Sequence, residues 1–505
     1  MKDKLLIILL AVCVFSCGKQ TENKPDSINI AVPYEVDDLD PHAKTRLSNY
    51  SACSNFYEPL IGTDAANKIT PRLAKSWENP DAYTWVLHLQ SNVRFHNGKG
   101  FDSSDVVYTL KRVMSDPNLE VGSYLIDVAE VGAIDALTVR IRTKSPLPIF
   151  LNKLNNILIV PGGATTESLK KRVNGTGPYR LQKWVQGEVI RLTRNEDYWG
   201  AKPALRSTNY FLNRTPEVAF DDLITGKCQF IQYNSKKMEN AIQQLGKYDI
   251  LREDNYYLKY LSYDVFREET PYCDTRPNPF KNPLVRKAIH RGINRNHLVE
   301  NLPTYAVPAS QPVPPFVFGY NPGIKIPEYH PEEAKRLLAE AGFKTGFGVT
   351  LLVRQILQET GALVQQQMGA LGIRTNVKIV PDNEFFKALD TQDFTFFLSR
   401  VGATVGDASD VLEPQLHSKG SHEGYGVRNY IGYRNLEIDR AIDESSKILK
   451  LDDRREALEK IMSTLMEDLP WIPLYIDQDV YALDKTFVWK PRHDSHVFAF
   501  EIGLR

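Results

Sequence analysis

The sequence predicts an α/β fold divided into two lobes. Two observations carry this: from about His330 onward helical and strand patterns alternate, and the chain of 505 residues exceeds what one hydrophobic core holds. Strands alternating with helices form a sheet covered by helices, expected here to be mostly parallel. Single cores stop growing near ~250 to 300 residues, so two lobes or more are required.

The second half gives the clearest elements. His330-Pro331-Glu332-Glu333 puts Pro at the first helical position with acids in the first turn, and Gly342 ends that helix. Strands are then expected over 348–353, 373–380 and 394–401, with helices over 358–371 and 383–389 between them. Two more helices are expected over 441–449 and 454–466. In the first half, a strand over 28–32 opens the fold. Residues 84–89 and 93–95 form strands about a turn, and Ser103-Ser104-Asp105 caps a helix reaching about Met114.

The first 18 residues, MKDKLLIILLAVCVFSCG, decide the compartment. Lys2 and Lys4 precede an apolar run of 11 residues, and Ser16-Cys17-Gly18 supplies small residues for a cut. Such a run reaches roughly half of a ~30 Å hydrocarbon core, which makes it a signal region and no spanning helix. Cys17 after Val14-Phe15-Ser16 resembles a bacterial lipobox, which implies an extracytoplasmic protein anchored through lipid on Cys17. Residues 18–27 read as a polar tether.

Charge is balanced, 62 basic against 62 acidic residues, so there is no whole-molecule field for nucleic acid. Cys53, Cys228 and Cys273 remain after the signal and anchor, so at most one disulfide forms and at least one thiol stays free. Enzyme motifs such as H-E-x-x-H, G-x-x-x-x-G-K-[ST] and G-x-S-x-G are missing, and no catalysis is expected. The closest histidine pairs, His493 with His496 and His417 with His422, lack a completing Cys or carboxylate cluster. Neither a metal site nor a cofactor is expected.

Several motifs fall in a recognisable order. Glu58-Pro59-Leu60 comes first, then Pro71-x-Leu73-Ala74-x-Ser76-Trp77, Trp85-x-Leu87-x-Leu89, Val93-x-Phe95-x-Asn97-Gly98-Lys99 and Asp105-Val106-Val107-Tyr108. Gly175-Thr176-Gly177-Pro178-Tyr179 and Asn195-x-x-Tyr198-Trp199-Gly200-x-Lys202-Pro203 follow. Together they resemble the family 5 extracellular solute-binding proteins, the peptide, dipeptide and nickel receptors of ABC importers. The resemblance implies a two-lobed periplasmic binding protein of type II with an extra subdomain in its first lobe and a cleft between lobes. It implies a signal region over 1–17, lobe I over 28–263 with the subdomain at about 45–175, lobe II over 264–479, and a return to lobe I over 480–505. Two crossings, near Asp264 and Val480, would make a hinge.

The resemblance further implies a monomer that captures peptides or similar small solutes for the permease subunits of an ABC transporter. Nickel complexes, oligosaccharides and opines stand as alternative ligands, and a secreted hydrolase as a more distant reading.

The informative stretch for a ligand is 400–416, RVGATVGDASDVLEPQL, a loop at the C-terminal end of a strand, where ligands of open α/β sheets sit. The resemblance matches Asp407 to an acid that holds a peptide's ammonium, with Asp410 as the second choice. Either acid could equally cap the segment 411–416. Thr404 stands where many family members carry an aromatic. Arg400 and Arg354, at strand ends, could receive a carboxylate. Tyr34, Tyr425, Tyr430 and Tyr433 are aromatic candidates for a largely apolar cleft.

Overall fold

A computed structural model describes residues 25–420 and 424–505; the signal region and Cys17 lie outside them. An eleven-stranded mixed sheet runs through both lobes. In lobe I, Ser27–Ala31 lies between Ser207–Phe211 and Phe230–Tyr233, parallel to both, and the hairpin of Tyr179–Val185 and Val189–Arg194 extends the edge. In lobe II, Gly348–Arg354 lies between Arg374–Val380 and Phe396–Gly402, again parallel to both.

The parallel expectation, drawn from the second half of the chain, holds for the three strands of lobe II, whereas the lobe I hairpin joins antiparallel and the sheet as a whole is mixed. Two long strands, Tyr248–Tyr263 and Trp471–Asp484, pair antiparallel and connect the groups. One carries the chain out of lobe I and the other brings it back, so their directions must oppose.

These strands also pass between the two cores. Leu251 packs against the lobe I core and Tyr256 belongs to a lobe II core. Between them Asp254 pairs with Gln478, yet the next pair is Leu258 with Ile476, so four residues advance on one strand against two on the other. The bulge bends the strand at 255–257. The strand that leaves lobe I runs on to Tyr263, beside the expected 263/264 boundary.

The inserted subdomain has its own four-stranded antiparallel sheet, Ala74–Asp81, Thr84–Leu89, Thr138–Thr143 and Val128–Asp135, over the helix Ser103–Ser115. Asp102 rather than Ser103 caps that helix. Its carboxylate accepts from Ser104 N–H, while Asp105 accepts from Asp102 N–H, and both orphan donors are satisfied. Residues 93–95 make only a single bridge, Arg94 to Gly100, because the chain reverses at Gly98, φ 89°.

The ordered motifs converge on one buried group. Glu58 accepts from Thr176 Oγ1 at 2.8 Å, Tyr198 OH at 2.7 Å and Trp199 Nε1 at 2.9 Å. Gly175 and Gly177 let the segment before strand Tyr179–Val185 run against the backbone of Phe56: a Cβ on Gly175 would lie 1.8 Å from Phe56 O. Cys53, Cys228 and Cys273 are all free thiols. No helix among the described residues is long and apolar enough to cross a membrane.

Candidate functional site

The bulge between the crossing strands and the end of strand Phe396–Gly402 open onto two adjoining cavities. One, of about 400 Å³, is lined among others by Asn255, Lys259, Tyr305, Arg400, Asp477 and Asp479. The other, of about 470 Å³, is lined among others by Tyr257, Tyr260, Arg400, Thr404, Asp410 and Tyr430. Arg400 belongs to both and joins them into one polar, tyrosine-rich cleft at the bulge.

Strand periodicity explains part of this lining, with Tyr257 and Lys259 on one face of the crossing strand and Tyr260 reaching the larger cavity from the other. Tyr257, Lys259 and Leu261 alternate with Leu258 and Tyr260 along the crossing strand, and Lys259 pairs in register with Arg400. The guanidinium of Arg400 lies 4.7 Å from the centre of the Tyr257 ring, an attractive cation–π arrangement. Lys259 is 3% exposed and its Nζ donates to Asp477; burial lowers its pKa. Asp479 is half-buried at the cavity wall; its partial burial raises its carboxyl pKa, and it accepts from Asn255 Nδ2 at 3.1 Å.

Asp410 enters the cleft from the short helix Ser409–Val411. It accepts from Val405 N–H and Thr404 Oγ1, each at 3.3 Å, and burial raises its pKa above the ordinary carboxylate value. These are long bonds to neutral donors, and no cation is paired with Asp410 among the described residues. Tyr124 of the inserted subdomain approaches it: burial, then the Asp410 charge, push the phenol up to about 12.

Asp407 requires a correction. Its two oxygens accept from Arg454 at 2.5 and 2.9 Å, and Oδ1 also accepts from Ser409 N–H and Oγ. Asp407 is 4% and Arg454 1% exposed, so the expected ammonium anchor is already an internal ion pair that fastens the loop to helix Leu451–Asp468. Neither acid caps 411–416 in the expected way; Asp407 caps the turn at Ser409 instead.

The other expected residues divide. Arg400 and Asp410 meet in the cleft, whereas Arg354 is held by Asp382 through Nε at 2.9 Å and through Nη2. Tyr34 packs against the lobe I core, with its hydroxyl buried and its pKa raised by that burial. Tyr433 donates to Asp468 at 2.6 Å and lies 7% exposed in lobe II. Tyr425 lines a separate cavity, of about 320 Å³, between the inserted subdomain and lobe II. Of that tyrosine group, Tyr430 faces the cleft. Tyr257 and Lys259 were not singled out in the sequence, although their alternation within YYLKYLSYD marks a strand with two distinct faces.

Known proteins share this architecture. The chain is 26% identical over 501 residues to the glutathione-binding protein GsiB of Escherichia coli strain K12, covering 94% of this chain and 92% of that one. HbpA2 from Haemophilus parasuis superposes with a TM-score of 0.84 at 20% identity, covering 95% of this chain and 100% of that one. DppA from Helicobacter pylori, solved with the peptide STSA, gives 0.74 at 22% identity, covering 95% and 98%. At these identities the structural likenesses establish the two-lobed α/β fold. The family model for bacterial extracellular solute-binding proteins, family 5, matches residues 68–423, well over half of the chain, and the chain belongs to that family.

Proposed function

We propose that this chain is the receptor of an ABC importer and captures short peptides or similar small zwitterionic solutes between its lobes. The observation that carries this reading is the meeting of Asp410 and Arg400 in one cleft at the strand bulge. Asp410 has the chemistry to hold an ammonium and Arg400 to hold a carboxylate, both by charge-assisted bonds about twice as strong as neutral ones. Two chain crossings absorb the dihedral change of lobe closure. Closure removes water from the cleft and strengthens both contacts.

The receptor works as a monomer tethered by lipid on Cys17 to a bacterial membrane, facing the periplasm or the cell exterior, where it meets the permease subunits. The lipobox-like Val14-Phe15-Ser16-Cys17 supports the anchor. Growth with labelled palmitate should mark the wild type and leave Cys17→Ser unmarked; an unmarked wild type removes the anchor. For the ligand, the purified chain is denatured and released small molecules are identified by mass spectrometry. Peptides of about two to five residues are the expected class. If such peptides neither co-purify nor raise the melting temperature, the peptide reading fails.

A further inference from the structure

Two segments of the inserted subdomain rest on the loop that leads to Asp410. On the short helix Phe150–Leu154, Phe150 and Leu154 are buried in the subdomain's core, while Asn152 between them donates through Nδ2 to the carbonyl of Val405 at 2.9 Å. The partner is a carbonyl, which fixes which way the amide points. Ala403 and Ala408, on either side of Val405, belong to a core of lobe II, so this bond runs between two separately packed bodies.

The second segment is the turn between strands Ile61–Thr63 and Ile69–Pro71. Asp64 Oδ1 accepts from the N–H groups of Ala66 and Lys68, both at 2.9 Å, and holds the turn with Asn67 at φ 64°. Asn67 lies against Gly406, itself at φ 74°: a Cβ there would sit 2.0 Å from Asn67 Nδ2. Only glycine lets the loop and the turn approach this closely.

Val405 is the meeting point. Its carbonyl is taken by Asn152, and its N–H donates to Asp410 Oδ2 at 3.3 Å. Both groups flank one Cα, so holding the carbonyl restrains the backbone that aims the N–H at Asp410. A carboxylate aimed by supporting hydrogen bonds presents one geometry to its ligand. Asn152 itself lines neither cavity of the cleft.

We infer that Asn152 is a positioning residue for ammonium capture: docked on Val405, it keeps Asp410 aimed into the cleft, and the inserted subdomain thereby takes part in ligand recognition. This deepens the peptide-receptor reading and rests on it. The test is calorimetric titration of the full chain in detergent with Ala-Ala-Ala and its N-acetylated form. The proteins compared are the wild type, Asn152→Leu, Asn152→Gln, Asp410→Asn, and Asn152→Leu combined with Asp410→Asn. One net hydrogen bond is worth about fivefold, so Asn152→Leu should shrink the preference for the free amine about fivefold. Asn152→Gln keeps a donor and should restore part of it. With Asp410→Asn already present, Asn152→Leu should leave the preference where it stands, because the two residues act in series.

Asn152 is half-buried and Leu keeps its branched shape, so the variant should fold, and matched melting curves would verify it. Equal loss of both peptides makes Asn152 a contact between the two bodies alone and overturns the inference. An unchanged preference in Asn152→Leu, or the same shrinkage with Asp410→Asn in place, overturns it too. If the wild type binds both forms alike, the role of Asp410 and this inference fall while a peptide receptor stands. If it binds neither form, the peptide-receptor reading falls with them.

Discussion

Arg454 grips both carboxylate oxygens of Asp407, Nη2 to Oδ1 at 2.9 Å and Nη1 to Oδ2 at 2.5 Å, with both side chains buried. The pair joins the loop that follows strand Phe396–Gly402 to helix Leu451–Asp468. It thereby fixes where Asp410, three residues on, meets the cleft.

Removing one partner of such a pair leaves a buried charge unsatisfied. Asp407→Asn should therefore lower stability by roughly 3 kcal/mol, measured by urea denaturation. Its effect on ligands should not depend on whether their amine is free or acetylated. Unchanged stability with selective loss of free-amine ligands would make Asp407 an ammonium anchor after all.

Glu58 holds three donors from two separate stretches of the chain. Glu58→Ala should strand Thr176, Tyr198 and Trp199 and cost about 3 kcal/mol, read from the denaturation midpoint. Glu58→Gln should cost less, because one amide oxygen still accepts, and burial already disfavours the charged carboxylate. Equal stability of the Ala variant and the wild type would remove the cluster as a structural anchor.

Glu413 lines the cavity between the inserted subdomain and lobe II, and burial pushes its carboxyl from 4.5 up to about 7, with Lys153 opposing the shift. A raised folded-state pKa means that folding favours the protonated form. That contribution is full below about pH 4.5 and lost as pH rises through about 7. Glu413→Gln should track the wild type near pH 4.5 and exceed it by roughly 2 kcal/mol at pH 8. Parallel stability curves across this range would contradict the account.

Much of the fold was legible in the chain because its signals are local. Pro331 with the acids after it starts a helix, Gly342 at φ 92° ends it, and the alternation to residue 402 predicts the parallel group of lobe II. The continuous strand between the cores was not legible, since Leu258 to Asp264 reads as a strand whether or not Tyr248 to Asp254 precedes it in the same element. The cleft was half legible. Arg400 and Asp410 stand out as charges at a strand end, but the neutralisation of Asp407 depends on Arg454, 47 residues away, and of Arg354 on Asp382. Pairings at that distance leave no periodic mark in a single sequence. The same holds for Tyr430 and Tyr433, three residues apart, of which one lines the cleft and the other bonds Asp468.

The most direct measurement of the central claim is the affinity of wild type and Asp410→Asn for one tripeptide and its N-acetylated form, by calorimetric titration. If Asp410 holds the ligand's ammonium, the wild type binds the free-amine peptide far more tightly, and Asp410→Asn loses most of that advantage while changing the acetylated peptide little. Equal loss for both peptides, or no loss for either, would contradict it.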